Sequence, residues 1–187
     1  MPIPPLKKRK QHPNPKGRLK INIQTAFDIY PPIVYRSINM QWHSKTFPQL
    51  TNLELYRILQ LRSRIFVVEQ NCAFLDSDGL DPEAVHIYYG NENTVAAYAR
   101  ILKTPDHPIA PAAIGRLAVA AEYRRQGLAA ETLQRGMNYI QTVWQYRTIY
   151  LQAQTYLLPF YRCFGYETVS EEYSEDGIPH IDMRFTR

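Results

Sequence analysis

A mixed α/β sheet with helices on both faces is the fold class that the sequence predicts. Three observations predict it. Apolar residues make up 45% of the 187 residues, enough for a real core in a domain of ordinary size without disulfides or metal. Two apolar runs rich in Val, Ile and Tyr flank the turn signal GNEN at 90–93, which is hairpin patterning. Farther on, strand-type runs alternate with stretches of helical spacing, so helices must cover the sheet from two sides.

Taken in order, MQWHSKTF (40–47) alternates well enough for a first strand. The run 51–66 places Leu53, Leu55, Tyr56, Ile58, Leu59 and Leu61 on one side of a helix, with Thr51 or Asn52 as N-cap. Residues 71–83 are acidic with Gly and Pro and read as a loop. Strands follow at 84–90 and 94–103, then a Pro-rich loop at 105–111 and an apolar strand at 113–120. A long helix is expected over 128–145, a strand over 148–154, a short helix over 155–165 and a strand over 166–173. The turn EDGIPH (175–180) leads to a last strand over 181–186. The predicted order is β-α-β-β-β-α-β-α-β-β.

The net charge of +5 misleads. Residues 1–39 hold eight Lys and Arg against one acidic residue, and residues 40–187 carry a net −2. The first 39 residues are basic, Pro-rich and without apolar period, so they are expected to be a disordered extension. Two explanations compete: a basic arm for a nucleic-acid or acidic partner, or, as expected from the domain-like start at Met40, an upstream start codon wrongly assigned. The domain over 40–187 gives no electrostatic reason to bind nucleic acid. No run approaches the ~18 apolar residues of a membrane span, and Cys72 and Cys163 read as reduced packing residues. A cytoplasmic protein is expected. The five histidines lack ligand spacing, so no metal is expected.

The stretch EYRRQGLAAETL (122–133) puts two arginines, a glutamine and a glycine at the mouth of a helix. Helix N-termini expose unpaired N–H groups and carry roughly half a positive charge. Gly127 lets the loop approach an anion, and Arg124 and Arg125 add forked donors, so the stretch reads as a pyrophosphate cradle. It is neither a P-loop nor a Rossmann fingerprint. It resembles the acetyl-CoA site of the GNAT N-acetyltransferases, whose signature Arg/Gln-x-x-Gly-x-Gly/Ala stands here as Arg124-Arg125-Gln126-Gly127-Leu128-Ala129. FYRCFGY at 160–166 matches a second family element. FVVEQNC, EDGIPHI and their neighbours are similar to the ElaA branch across 40–187; Ala73, where relatives often have Pro, and Ala129 are small departures.

The resemblance implies the GNAT acyl-CoA N-acyltransferase fold and direct transfer from acetyl-CoA, as co-substrate, to a small-molecule or protein amine. It implies that Leu117, Ala118 and Val119 present backbone groups to the pantetheine arm, with the Val119 N–H on the oxyanion. Gln126, Gly127, Leu128 and Ala129 with Arg124 hold the pyrophosphate, and Gln154 contacts CoA. Tyr161 is the general acid, with Phe160 turned to the core. Three side chains compete as general base, and water is a fourth choice. Glu69 closes a helix beside an apolar run, where desolvation would raise its pKa. His180 follows a tight acidic turn, and His86 opens a strand beside the acidic loop. If Asp76, Asp78, Asp81 and Glu83 border the acceptor pocket, they favour a cationic amine; Arg62, Arg64 and Arg100 would instead suit a carboxylate. Two other readings stand beside this one: an acyl-homoserine-lactone-synthase-like acyltransferase, or an acyl-CoA-binding sensor without turnover. A homodimer would use the helix over 128–144 and the terminal strands.

Overall fold

The computed structural model describes residues 39–187. Of the extension expected over 1–39, all but Asn39 lies outside the described residues. Eight strands form one sheet: β1 (Gln41–Thr46), β2 (Val85–Gly90), β3 (Val95–Lys103), β4 (Ala112–Val119), β5 (Thr148–Gln154), β6 (Glu167–Thr168), β7 (Tyr173–Glu175) and β8 (Ile178–Thr186). Three helices join them: α1 (Asn52–Arg62), α2 (Leu128–Thr142) and α3 (Leu158–Arg162). The strand order is β1-β2-β3-β4-β5-β8-β6, with β7 paired to β8. The mixed sheet agrees with the expected class. The single strand expected over 166–173 is divided into β6 and β7, both antiparallel to β8. Among the described residues no helix is long and apolar enough to cross a membrane.

Strand alternation divides the core in two. Val85, Ile87, Ala99, Ile101, Ala112, Ile114, Leu151 and Ala153 face Leu133, Met137 and Ile140 of α2 and Tyr161 of α3. Tyr88, Val95, Tyr98 and Ala118 face Ile58 and Leu61 of α1 and Ile65 beyond it. Seven consecutive residues of β3 are buried, as befits a strand covered on both faces. On α2, Thr132, Leu133, Gly136, Met137 and Ile140 form one buried stripe. A Cβ on Gly136 would come to 3.3 Å from Ile101 and Ile114, so this glycine sets how closely α2 lies on the sheet.

Thr51 caps α1 through a reciprocal capping box with Glu54. After Arg62 the helix widens into a π turn, Ser63–Glu69. The Gln70 N–H donates to Ile65 and the Cys72 N–H to Val67, both five residues back.

Two irregularities in β4 prepare the site. Against β3, Arg100 pairs with Gly115 and Tyr98 with Ala118, so β4 holds one extra residue there. Arg116 takes the left-handed φ of 55° that this bulge demands. The extra residue changes the phase of alternation: Ala112 and Ile114 face α2, whereas Arg116 and Ala118 turn to the α1 side. On its other edge β4 pairs with β5 in parallel through Ala113 and Tyr150 alone. Beyond that pair the strands diverge and leave a gap.

Candidate active site

The gap between β4 and β5 is lined by main-chain groups. The Ala120 N–H donates to the Ala96 carbonyl of β3 at 2.9 Å. Alternation along an extended strand therefore turns the N–H and C=O of Val119 the other way, into the gap. The Val119 carbonyl is capped there by Arg124 Nε at 3.0 Å.

The cradle closes one end of the gap. Arg125 and Gly127 adopt left-handed φ values of 61° and 80°, which bend the loop so that α2 starts directly at Leu128. The first main-chain bond of that helix runs from the Glu131 N–H to the Gly127 carbonyl at 3.1 Å, so the N–H groups of Leu128, Ala129 and Ala130 are free among the described residues. A Cβ on Gly127 would meet nothing within 4 Å. Glycine is required here by its backbone angle, not by protein packing. Free N–H groups, a helix N-terminus and two exposed guanidinium groups fit the diphosphate of CoA.

Arg124 is already engaged. Its Nη2 lies 2.7 Å from Glu69 Oε2, at the end of the π turn. This corrects the expectation for Glu69. The carboxylate is exposed, and the hydrogen bond from Arg124 holds its pKa below the ordinary glutamate value; desolvation does not raise it.

Tyr161 and Phe160 are likewise exchanged relative to expectation. Tyr161 is 7% exposed within the core on the α2 side, and Phe160 is the partly exposed ring. Burial pushes the Tyr161 phenol up to about 12, so it stays protonated, and its hydroxyl has no partner among the described residues. Tyr156, absent from the sequence-based candidates, stands exposed just after β5, near enough to Arg124 and Tyr161 to contribute to the upward pKa shift of each.

His86 does not open toward substrate. It is wholly buried, with Nδ1 2.9 Å from the Tyr98 hydroxyl and Nε2 3.1 Å from the Asp81 carbonyl. Burial lowers its pKa, and neither ring nitrogen is left for a substrate proton. His180 pairs across β8 with Gln154 at the end of β5. Its Nδ1 meets the Ile178 carbonyl at 2.9 Å, and its ring stacks on Tyr173. The structure thus brings Gln154 and His180 together at the mouth of the gap.

The acidic loop is not a free acidic surface. Arg62 Nε holds Asp76 at 2.7 Å and its Nη1 holds Asp81 at 2.6 Å. Arg100 binds Asp78 and, at 3.0 Å, Asp81. Arg116, at the bulge, reaches Asp76 at 2.8 Å. Burial alone would raise the Asp81 pKa, but Arg62 and Arg100 outweigh it and the net shift is downward. Three arginines and three aspartates cancel, so neither these aspartates nor Arg62 and Arg100 are available to an acceptor, whereas Glu83 and Arg64 stay exposed. Cys72 and Cys163 are free thiols, and Cys163 is exposed rather than packed.

The family profile described as "Acetyltransferase (GNAT) domain" matches residues 75–187. Protein ElaA of Escherichia coli (strain K12) is 38% identical over 146 residues, covering 77% of this chain and 95% of that protein. The crystal structure of Escherichia coli ElaA superposes with a TM-score of 0.72 at 37% identity, covering 78% of this chain and 99% of that one. An acyl-CoA N-acyltransferase from Pseudomonas aeruginosa superposes with a TM-score of 0.74 at 36% identity, covering 79% and 99%. The chain is thus a GNAT-family acyltransferase that draws its acyl group from acyl-CoA, and it belongs to the ElaA branch of that family.

Proposed function

We propose that this enzyme moves an acetyl group from acetyl-CoA directly onto an amine. The observation that carries this reading is the opening of β4 from β5 with the Val119 N–H turned into it, beside a helix start rich in free N–H groups. Acetyl-CoA supplies an activated thioester carbonyl. The N–H groups at 127–130, with Arg124 and Arg125, hold its diphosphate, and the edge of Leu117–Val119 and Gln154 align its arm. The Val119 N–H donates to the carbonyl oxygen as charge grows on it. The amine gives one proton to Glu69 or through water to solvent, its nitrogen bonds the acetyl carbon, and the carbon–sulfur bond breaks. Tyr161, protonated at rest, gives its proton to the departing thiolate and recovers one from solvent.

Thermal unfolding of the chain with and without acetyl-CoA, beside Gly127→Glu, tests the cradle. A ligand at ~100 times its Kd adds roughly 2.7 kcal/mol, several degrees in Tm at this size. The wild type is expected to shift by that amount. Gly127→Glu is expected to lose the shift and to fold with a Tm only a few degrees lower, because its side chain points into open space. A folded wild type that acetyl-CoA leaves unshifted would remove the cofactor assignment. Thiol release on a panel of amines then reads the transfer itself.

A further inference from the structure

Four carboxylates among the described residues are not exposed: Glu54, Asp76, Asp81 and Asp182. Three face a cation. Glu54 meets Lys45, and Asp76 and Asp81 meet the buried arginines. Asp182, partly buried, is the one of the four that makes no ion pair among the described residues.

It is nevertheless held firmly. Its Oδ1 accepts from the Tyr150 hydroxyl at 3.0 Å and from the Tyr173 hydroxyl at 2.7 Å. Gln152 Nε2 in turn donates to the Tyr173 oxygen at 2.8 Å. The Asp182 N–H donates to Ser170 Oγ at 2.9 Å. Oδ2 has no partner and is not sealed away among the described residues. Two tyrosines thus fix one oxygen and leave the other presented, an arrangement suited to receiving a donor from outside the chain.

Its place in the sheet says where that donor comes from. Asp182 on β8 sits directly across from Gln152 of β5, the strand that forms one wall of the gap. Ile149, Leu151 and Ala153 face the α2 side, so Tyr150, Gln152 and Gln154 face the α1 side. There α1 packs on β2, β3 and β4, and among the described residues no helix lies over the β5–β8 half of that face.

The geometry points to Asp182 as the seat of a second, non-reacting cationic group on the acceptor, which makes the acceptor a diamine or an amine of like charge spacing. Asp182 lies one strand beyond the gap wall, so this cation sits at least a strand spacing, about 5 Å, from the nitrogen that is acylated. Tyr150, Tyr173 and Gln152 are positioning residues. The inference rests on the gap being the place of acyl transfer.

Calorimetric titration of the full chain, loaded with CoA, with cadaverine and with n-pentylamine reads the seat without turnover. Cadaverine is expected to bind at least about tenfold tighter, the scale of one charge-assisted hydrogen bond. Asp182→Asn, nearly isosteric, is expected to erase that preference. Tyr173→Phe, which keeps the charge and loosens its aim, should reduce the preference about threefold. Equal affinity of the wild type for both amines, or a preference that survives Asp182→Asn, overturns the assignment. Thiol-release assays separate it from the reading beneath it. Cadaverine bound through Asp182 without any acetylation would sink the transfer reaction and keep the cation seat. Acetylation of both amines with equal kcat/KM would sink the seat and keep the transfer.

Discussion

The two walls of the gap are built on different principles. The β4 wall, with the cradle beyond it, meets its ligand mainly through main-chain N–H groups, held by a bulge, a left-handed glycine and a helix start. The β5–β8 wall and the loop over 71–83 work through side chains: three arginines on three aspartates, and two tyrosines on Asp182. A main-chain site depends on local geometry that few residues dictate. A side-chain site depends on partners far apart in sequence, such as Arg116 and Asp76, forty residues apart. In the proposed reaction the first wall would serve the co-substrate and the second would select the acceptor.

The contrast can be broken at three places. The largest effect is expected at Arg62. It is fully buried, tied to Asp76 and Asp81, and stacked over Tyr98. Arg62→Ala leaves Asp76 to Arg116 alone and Asp81 to Arg100 alone and empties a buried space, so up to about 3–5 kcal/mol of stability is expected to go, read by denaturant unfolding. If the side-chain wall tolerated this loss with no change in midpoint, the loop would not be held in the way described. Next is Tyr161→Phe. A positioned acid contributes about a hundredfold or more, so kcat should fall by that order with the melting temperature unchanged, since the hydroxyl bonds nothing among the described residues. Loss of stability without loss of kcat would make Tyr161 a packing residue only.

The smallest effect sharpens the comparison most. Glu69, at the end of the π turn, touches the cradle through Arg124. Exposed ion pairs are worth about 0.2–1 kcal/mol. Glu69→Ala frees Arg124 and removes a negative charge beside the diphosphate site, so CoA is expected to bind up to about fivefold tighter in calorimetry while kcat falls. A variant that bound CoA more weakly would show that the carboxylate supports Arg124 and does not compete for it.

The same division explains what the sequence disclosed. Helix α2, its glycine and the strand before it were legible because Gly127, the arginine pair and the apolar stripe from Thr132 to Ile140 lie within twenty residues. Most of the sheet was legible for the same reason. The split of 166–173 into β6 and β7 was not, because both short strands exist only through pairing with β8. The acidic loop misled because composition records four acids in 71–83 and is silent on the arginines that come to them from α1, β3 and β4. Tyr161 and Phe160 were transposed because the resemblance alone assigned the core face, and a helix of five residues offers too little period to check it. Asp182 carried no local signal at all. Its partners are a β5 tyrosine thirty-two residues earlier and a tyrosine that the Asp176-Gly177 turn brings alongside.

The bulge at Arg116 and the lone pairing of Ala113 with Tyr150 leave one amide proton in an unusual position. Amides at the centre of a sheet exchange with deuterated solvent only when the sheet opens. The Val119 amide lies deep in the chain fold yet turns toward an open cleft, so it should exchange early while the amides of Tyr98 and Ala99 stay silent for hours. A seated co-substrate would protect it at once. The molecule thereby carries its own occupancy gauge: a single peptide spanning 117–120, followed by mass spectrometry, would report loading without any label, any acceptor or any turnover.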